Sequence, residues 1–364
     1  MAEGKRKILM IAPLPPPVHG SAMMTQYIKD SQLVNETVDM DWVNLSTPRR
    51  MDEIGRGSLA KCMRFAAAFL NTARKLVFRR YDRAYIAIAC RGTGFLKDAP
   101  FALLCRLFRV PLIIHQHNRG MADYVDRPIY RTLLPKVYKG ASVLLLSWHL
   151  YDDISRVVDR SQITICHNGI PDEASGAHSA PGTPVRLLFL SNLMAEKGVY
   201  VLLDALKLLK DQGCRFRCQF VGSETEEIPV SLLETEIRKR CLDDEVSYLG
   251  KRYGKEKEET FADNDVFVFP TSYDCFPLVL LEAMQHGLAV VTTDMGGNPD
   301  IIDDGVNGYI VRRDDPGDLA LHIKQLIDNP ELIGRFGREG RNKYSSSFTL
   351  RRFEENMVRI LSSN

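Results

Sequence analysis

The sequence predicts an α/β protein built from two doubly wound, Rossmann-like domains facing across a cleft. Three observations carry that prediction. Short apolar runs of strand length alternate with helical patterns along the 364 residues, the pattern of parallel sheets covered by helices on both faces. The alternation breaks at residues 171–184, P-D-E-A-S-G-A-H-S-A-P-G-T-P, where proline, glycine and small polar residues mark a linker. A chain of this length with 45% hydrophobic content buries a sizeable core and divides more readily into two domains than one.

The first domain, residues 1–170, opens with the strand K-I-L-M-I-A-P, the proline-rich loop P-L-P-P-P-V-H-G-S and a helix over 23–30. A-Y-I-A-I-A follows with a helix near 98–108, then the strands P-L-I-I-H-Q-H and S-V-L-L-L-S, the last running into H-L-Y-D-D-I. The second domain, 185–347, repeats the scheme. V-R-L-L-F-L-S leads into a helix over 199–211 closed by Gly213, with Val201, Leu202, Ala205, Leu206, Leu208 and Leu209 on one stripe. F-R-C-Q-F-V-G, a helix over 231–241, V-S-Y-L-G, a short helix near 256–262, D-V-F-V-F-P, a helix over 277–287, A-V-V-T-T and G-Y-I-V complete it. Residues 348–364, with R-R-F-E-E-N-M-V-R-I-L, are predicted to return as a helix onto the first domain.

Net charge is +2, but through Ile170 the chain carries 25 Lys and Arg against 14 Asp and Glu, and after it 23 against 32. A basic half meets nucleic acid, an anionic membrane surface or a phosphorylated small molecule. Eight scattered cysteines without a C-x-x-C pair read as reduced thiols of a cytoplasmic protein. The first apolar run is too short for a signal peptide, and no segment approaches a membrane span.

Candidate ligand-binding residues fall at predicted strand ends, where open α/β sheets bind ligands. In Y-D-C-F-P-L-V-L-L-E-A-M-Q-H-G the chain leaves a strand through Asp274 and starts a helix at Phe276, Pro277 and Leu278. Free amides at that helix start suit an anion such as a diphosphate. Glu282, two turns in, accepts two hydrogen bonds from a vicinal diol; the competing reading is an N-cap Asp and a solvent-facing Glu. Lys197, in E-K-G after the strand at 188–191, supplies a point charge for phosphate. Gly296 and Gly297, before Asn298 in G-G-N-P-D, and Gly20 in the first domain allow close backbone approach to a ligand. H-Q-H-N ends another strand, and a histidine there faces the ligand side. Neither a phosphate-binding G-x-x-x-x-G-K-[ST] loop, a dinucleotide fingerprint, a metal-spaced His/Cys cluster nor a G-x-S-x-G elbow is present in the sequence.

Together S-N-L-M-A-E-K-G, D-C-F-P-L-V-L-L-E-A-M-Q-H-G-L-A-V-V and G-G-N-P-D-I-I-D-D-G-V-N-G-Y-I-V resemble the C-terminal domain of the retaining GT-B glycosyltransferases, family 4-like, glycosyl transferases group 1. C-H-N-G-I at 166–170 and, more loosely, the P-P-x-x-x-G loop extend the resemblance. It implies transfer of a sugar from a nucleotide sugar, UDP-linked by preference, to a sugar or polyprenyl-diphosphate-linked glycan in surface polysaccharide or glycoconjugate synthesis. The donor is a substrate; no cofactor and no metal are implied, nor any nucleic acid partner. By resemblance Asp274 faces the donor sugar, Glu282 the ribose, and Lys197 the leaving diphosphate. The family's Arg ahead of E-K-G is Asn192 here, with Arg252 its possible substitute or a base neighbour. His117 corresponds to the strand-end histidine near the reacting sugar, with His115 the runner-up. Two readings stay open beside this one: a GT-B sugar-nucleotide epimerase, and a non-catalytic GT-B partner protein.

The segment 58–83 holds seven Lys or Arg, Lys61, Arg64, Arg74, Lys75, Arg79, Arg80 and Arg83, against Asp82, with many apolar residues between them. It reads as a core helix with a basic flank or as a surface that docks reversibly on the cytoplasmic face of a membrane.

Overall fold

A computed structural model describes residues 5–16, 19–46, 59–172 and 182–363. The chain divides into two compact units: residues up to Gly169 with those from Leu350 onward, and Ile170–Thr349. Of the predicted linker 171–184, residues 173–181 lie outside the described residues.

In the first unit the apolar runs become parallel strands because each is buried on both faces by helices. The chain forms β1 (Arg6–Ala12), α1 (Gly20–Asp30), α2 (Gln32–Thr37), β2 (Val38–Asn44), α3 (Leu59–Phe78), β3 (Arg83–Ile88), α4 (Gly92–Leu107), β4 (Leu112–Gln116), α5 (Pro128–Tyr138), β5 (Ser142–Leu145), α6 (Tyr151–Ile154) and β6 (Ile163–Ile165). The sheet order is β2-β1-β3-β4-β5-β6, all parallel. Ile8 to Ile11 are fully buried. The order reverses between β1 and β3, which makes the crevice beyond their carboxyl ends the expected ligand position.

The second unit contains β7 (Val185–Leu190), α7 (Val199–Asp211), β8 (Phe216–Val221), α8 (Val230–Lys239), β9 (Val246–Tyr248), α9 (Gly254–Ala262), β10 (Val266–Phe269), α10 (Leu278–Gln285), β11 (Ala289–Thr293), α11 (Asn298–Ile301), β12 (Gly308–Val311), α12 (Pro316–Asp328) and α13 (Pro330–Ser347). Its parallel sheet runs β12-β11-β10-β7-β8-β9, reversing between β7 and β10. V-F-V-F and A-V-V-T-T are buried at every position, as central strands require.

The last helix, α14 (Leu350–Ser362), belongs to the first unit. Phe353, Met357, Ile360 and Leu361 are buried on one face, and it packs on α1, α2 and β2. α4 starts earlier than the predicted 98: Gly92, Gly94 and the internal Pro100 weaken its helical signal without preventing the turn. β2 lacks an apolar run because Val38, Met40 and Val43 share it with Asp39 and Asp41; it is an edge strand, wet on one side.

Candidate functional site

The second unit's site is assembled at its sheet's reversal point. After β7 a short 3-10 turn over Ala195–Lys197 ends at Gly198, whose φ is 87°. A Cβ there would stand 2.3 Å from the Pro270 carbonyl oxygen, so only glycine lets this turn lie against the loop leaving β10. The contact is reinforced from the other side. Thr271 Oγ1 donates to the Glu196 carbonyl at 3.0 Å and Ser272 N–H to the same oxygen at 2.8 Å. These constraints aim Lys197: its Nζ donates to the Tyr273 carbonyl at 2.7 Å and to Asp274 Oδ2 at 3.0 Å. Asp274 Oδ1 in turn accepts from Cys275 N–H at 2.8 Å. Lys197 and Asp274, nominated separately from sequence, form one ion pair with both side chains about four-fifths buried.

The G-G-N segment closes the opposite side, and its role differs from the expected one. Gly296 has φ 55°, and a Cβ on it would meet the Asp274 carbonyl oxygen at 2.5 Å. Gly297 N–H donates to the Cys275 carbonyl at 2.6 Å, and Asn298 N–H to Met295 at 3.0 Å. The two glycines therefore make room for the 274–276 loop, and two amides expected to meet phosphate or sugar are spent inside the protein. Asn298 is buried, with its side-chain amide donating to Thr292 Oγ1 at 3.0 Å. That bond ties it to β11, while its buried Oδ1 has no hydrogen-bond partner. Phe276, buried edge-on to Phe348 with ring centroids 5.9 Å apart, anchors the same loop.

α10 follows from Pro277, which occupies the N-cap position, so the first amides facing outward belong to Leu278 and Val279. Glu282 is bound to Lys257 Nζ at 2.6 Å. Burial raises its carboxyl above the ordinary range, opposed by the Lys257 charge. His286 Nε2 sits 2.6 Å from Glu258 Oε2 and stacks on Phe261 with centroids 4.9 Å apart. One ion pair and one histidine–carboxylate hydrogen bond thus tie α9 to α10 and to the residue that caps it. Lys257 and Glu258 escaped sequence reading because K-E-K-E-E has the composition of a solvated face; their spacing from Glu282 carries no local signal. Arg252, half-buried, touches Thr260 Oγ1 at 3.5 Å, and Asn192 is exposed beyond β7.

The first unit's reversal point holds a pocket of about 220 Å³ lined by residues including His19, Ser21, Ser46, Lys97, His117 and Asn118. The two histidines of H-Q-H-N separate here. His115 is fully buried and bonded to Tyr85 OH at 2.7 Å, whereas His117 lines the pocket, its Nε2 without a hydrogen-bond partner. Burial, with His19 nearby, lowers the His117 imidazole to about 3, so it is neutral at ordinary pH. His19 caps α1 by accepting from Ala22 N–H at 3.4 Å. Burial and then the Lys97 charge lower its pKa. Lys97 also lies 3.4 Å from the buried Asp98 carboxylate. Gly20 begins α1, and a Cβ there would meet nothing within 4 Å; internal packing does not require this glycine. His19, Ser21, Lys97 and Asn118 join the site only through the fold.

Residues 172–343 match the family model described as glycosyl transferases group 1. Salmonella typhimurium WcaL, named for glycosyl transfer in colanic acid biosynthesis, is 28% identical over 190 residues, covering 50% of this chain and 46% of that protein. A glycogen synthase of Mycobacterium tuberculosis is 24% identical over 306 residues, covering 81% of this chain and 73% of the synthase. The match therefore spans about half of WcaL and about three-quarters of the synthase. HepE of Anabaena, solved in complex with UDP, superposes with a TM-score of 0.74 at 17% identity over 99% of this chain and all of its own, a likeness of fold. Both units have the Rossmann-like architecture of a GT-B fold, and the second matches the family model described as glycosyl transferases group 1.

Proposed function

We propose that this glycosyltransferase moves a hexosyl group from a UDP-sugar to a sugar or polyprenyl-diphosphate-linked glycan with retention of anomeric configuration, in surface polysaccharide or glycoconjugate synthesis. Such an acceptor is met at the cytoplasmic face of a membrane. The observation that carries the reading is Lys197, fixed by Gly198 and the β10 loop beside the start of α10. An ammonium has three N–H donors; two are used on Tyr273 and Asp274, and the third is left for a diphosphate oxygen. Departure of the nucleoside diphosphate builds negative charge there, so this cation and the α10 amides stabilise the transition state more than the bound donor. Charge is met in this way without a metal.

Asp274 orients Lys197 and faces the donor sugar, and Glu282 takes the ribose hydroxyls after exchanging Lys257 for them. His117, neutral and with a free Nε2, offers a hydrogen-bonding nitrogen to a sugar hydroxyl entering the first unit's pocket. The acceptor hydroxyl attacks on the face the diphosphate leaves, and the leaving phosphate takes its proton. WcaL's name and the UDP bound by HepE favour a polysaccharide role and a uridine donor. The test is turnover of UDP-, GDP- and ADP-sugars with an oligosaccharide acceptor, the product's anomeric proton read by NMR. A retained anomer from a UDP-sugar is expected, unaffected by a metal chelator. An inverted product, or isomerised donor without transfer, contradicts the reading.

A further inference from the structure

α3 is apolar on two opposite faces. On one, Thr72 and Leu76 are buried, and Phe65 and Phe69 meet Phe101 edge-on with centroids 5.5 and 5.6 Å away. This face belongs to the core, as one of the two sequence readings of 58–83 held. On the other face Leu59, Met63, Leu70 and Val77 are 80%, 66%, 67% and 59% exposed. They recur at helical spacing and so form one stripe. Phe78, at the helix end, is 78% exposed.

The surroundings of the stripe are cationic. α3 contains no Asp or Glu. Two clefts of about 360 and 410 Å³ flank its C-terminal end and share Phe78 and Arg79 in their walls; Arg80 lines one, together with Lys7, Asp39 and Asp41, and Arg74 the other, which no acid among the described residues lines. Lys75 and Arg79 are held by Asp41, while Arg74 and Arg80 are exposed and meet no carboxylate among the described residues.

We propose that this stripe is a seat for an anionic bilayer. Leu59, Met63, Leu70 and Val77 enter the headgroup–acyl boundary, Phe78 beside them, and Arg74 and Arg80 meet lipid phosphates in the clefts. A 20-residue helix is about 30 Å long, enough to lie along a surface, and no described helix is long and apolar enough to cross one. A second copy of the chain fits less well: a two-fold interface sets the same patch against itself, and this patch has cations with no acid on the helix to meet them. Lipid supplies both the apolar phase and the opposite charge. The proposal rests on the proposed acceptor only in giving the seat a purpose; docking follows from the surface itself.

The test is co-sedimentation of the full chain with vesicles of phosphatidylcholine alone or with about a third phosphatidylglycerol, at roughly 0.05 and 0.5 M salt. Binding to the anionic vesicles is expected to exceed that to neutral ones by about tenfold and to fall by a similar factor at high salt. Leu70→Gln with Val77→Gln should weaken it by about tenfold, and Arg74→Gln with Arg80→Gln should remove most of the salt dependence. The replaced side chains are exposed, so unchanged thermal melting confirms intact folding. Equal binding to both vesicle types, or no effect of either pair, overturns the proposal. So does a concentration-dependent dimer in sedimentation equilibrium that Leu70→Gln dissolves. Transfer assays on a soluble sugar separate the two claims. Normal soluble transfer without vesicle binding defeats the seat and leaves the proposed function standing; vesicle binding without transfer to any acceptor does the reverse.

Discussion

At the reversal point of the second sheet, Lys197, Asp274, Gly198 and Gly296 are tied together by an ion pair, shared carbonyls and backbone contacts that admit no side chain. At the equivalent point of the first sheet, His117 lines an open pocket with an unpartnered nitrogen, and Gly20 has open space where a Cβ would be. Both are crevices at the carboxyl ends of parallel strands. One is braced by the protein's own close contacts, and the other is roomy. A diphosphate has fixed charge and shape, and preorganised donors serve it with little reorganisation. Under the proposed function the roomy crevice is left for a sugar, whose hydroxyls the protein does not need to enclose in advance.

The largest effects should come from breaking the prebuilt side. Gly198→Ala forces a side chain into positive φ and onto the Pro270 carbonyl. It should lower stability by about 2–4 kcal/mol and turnover more than Lys197→Met does, checked by denaturant unfolding and steady-state kinetics. Lys197→Met should lower turnover about 10²-fold, the loss of one charge-stabilising donor, with thermal stability nearly kept. Glu282→Gln should mainly raise KM for the donor by about tenfold, since the proposed ribose contact would be made in ground and transition states alike.

The first unit yields smaller effects. His117 is held neutral in the fold down to about 3, against an ordinary value of 6.5. The unfolded chain therefore binds the proton more readily, and stability falls as pH drops below about 6.5 toward 3. The slope from this group is at most about 1.4 kcal/mol per pH unit. His117→Asn should flatten the dependence of melting temperature between pH 6.5 and 5, to which His115 adds a separate, remaining slope. Gly20→Ala should change stability by less than about 0.5 kcal/mol. If it destabilised as much as Gly198→Ala, the contrast between the units would fail.

The same contrast explains what was legible in the sequence. A prebuilt site needs residues whose local conformations are special: a glycine at positive φ after Lys197, a paired glycine before Asn298, a proline at a helix start. These leave marks in the string, so Lys197, Asp274 and the 274–278 loop could be found there. The marks did not tell what the glycines at 296 and 297 serve. A close approach to backbone and one to ligand look alike until the partner loop is in place. His19, Lys97 and Asn118 carry no local signature, because they meet only when β1, β3 and β4 align; Lys257 and Glu258 meet α10 the same way. The α3 segment was ambiguous for another reason. Periodicity reports an apolar face but not which face, and a helix apolar on two sides satisfies a core reading and a surface reading together.

Under the proposed function Lys197, in the loop that precedes α7 and bonded to the loop that precedes α10, receives the diphosphate of a nucleotide donor. Calorimetric titration of UDP and of uridine into the wild-type chain and Lys197→Met, with GDP and ADP run alongside, tests it most directly. The prediction is that Lys197→Met weakens UDP binding by about tenfold or more and leaves uridine binding unchanged. Equal losses for UDP and uridine, or undiminished UDP binding, would show that the ammonium does not meet the phosphates and would contradict the account.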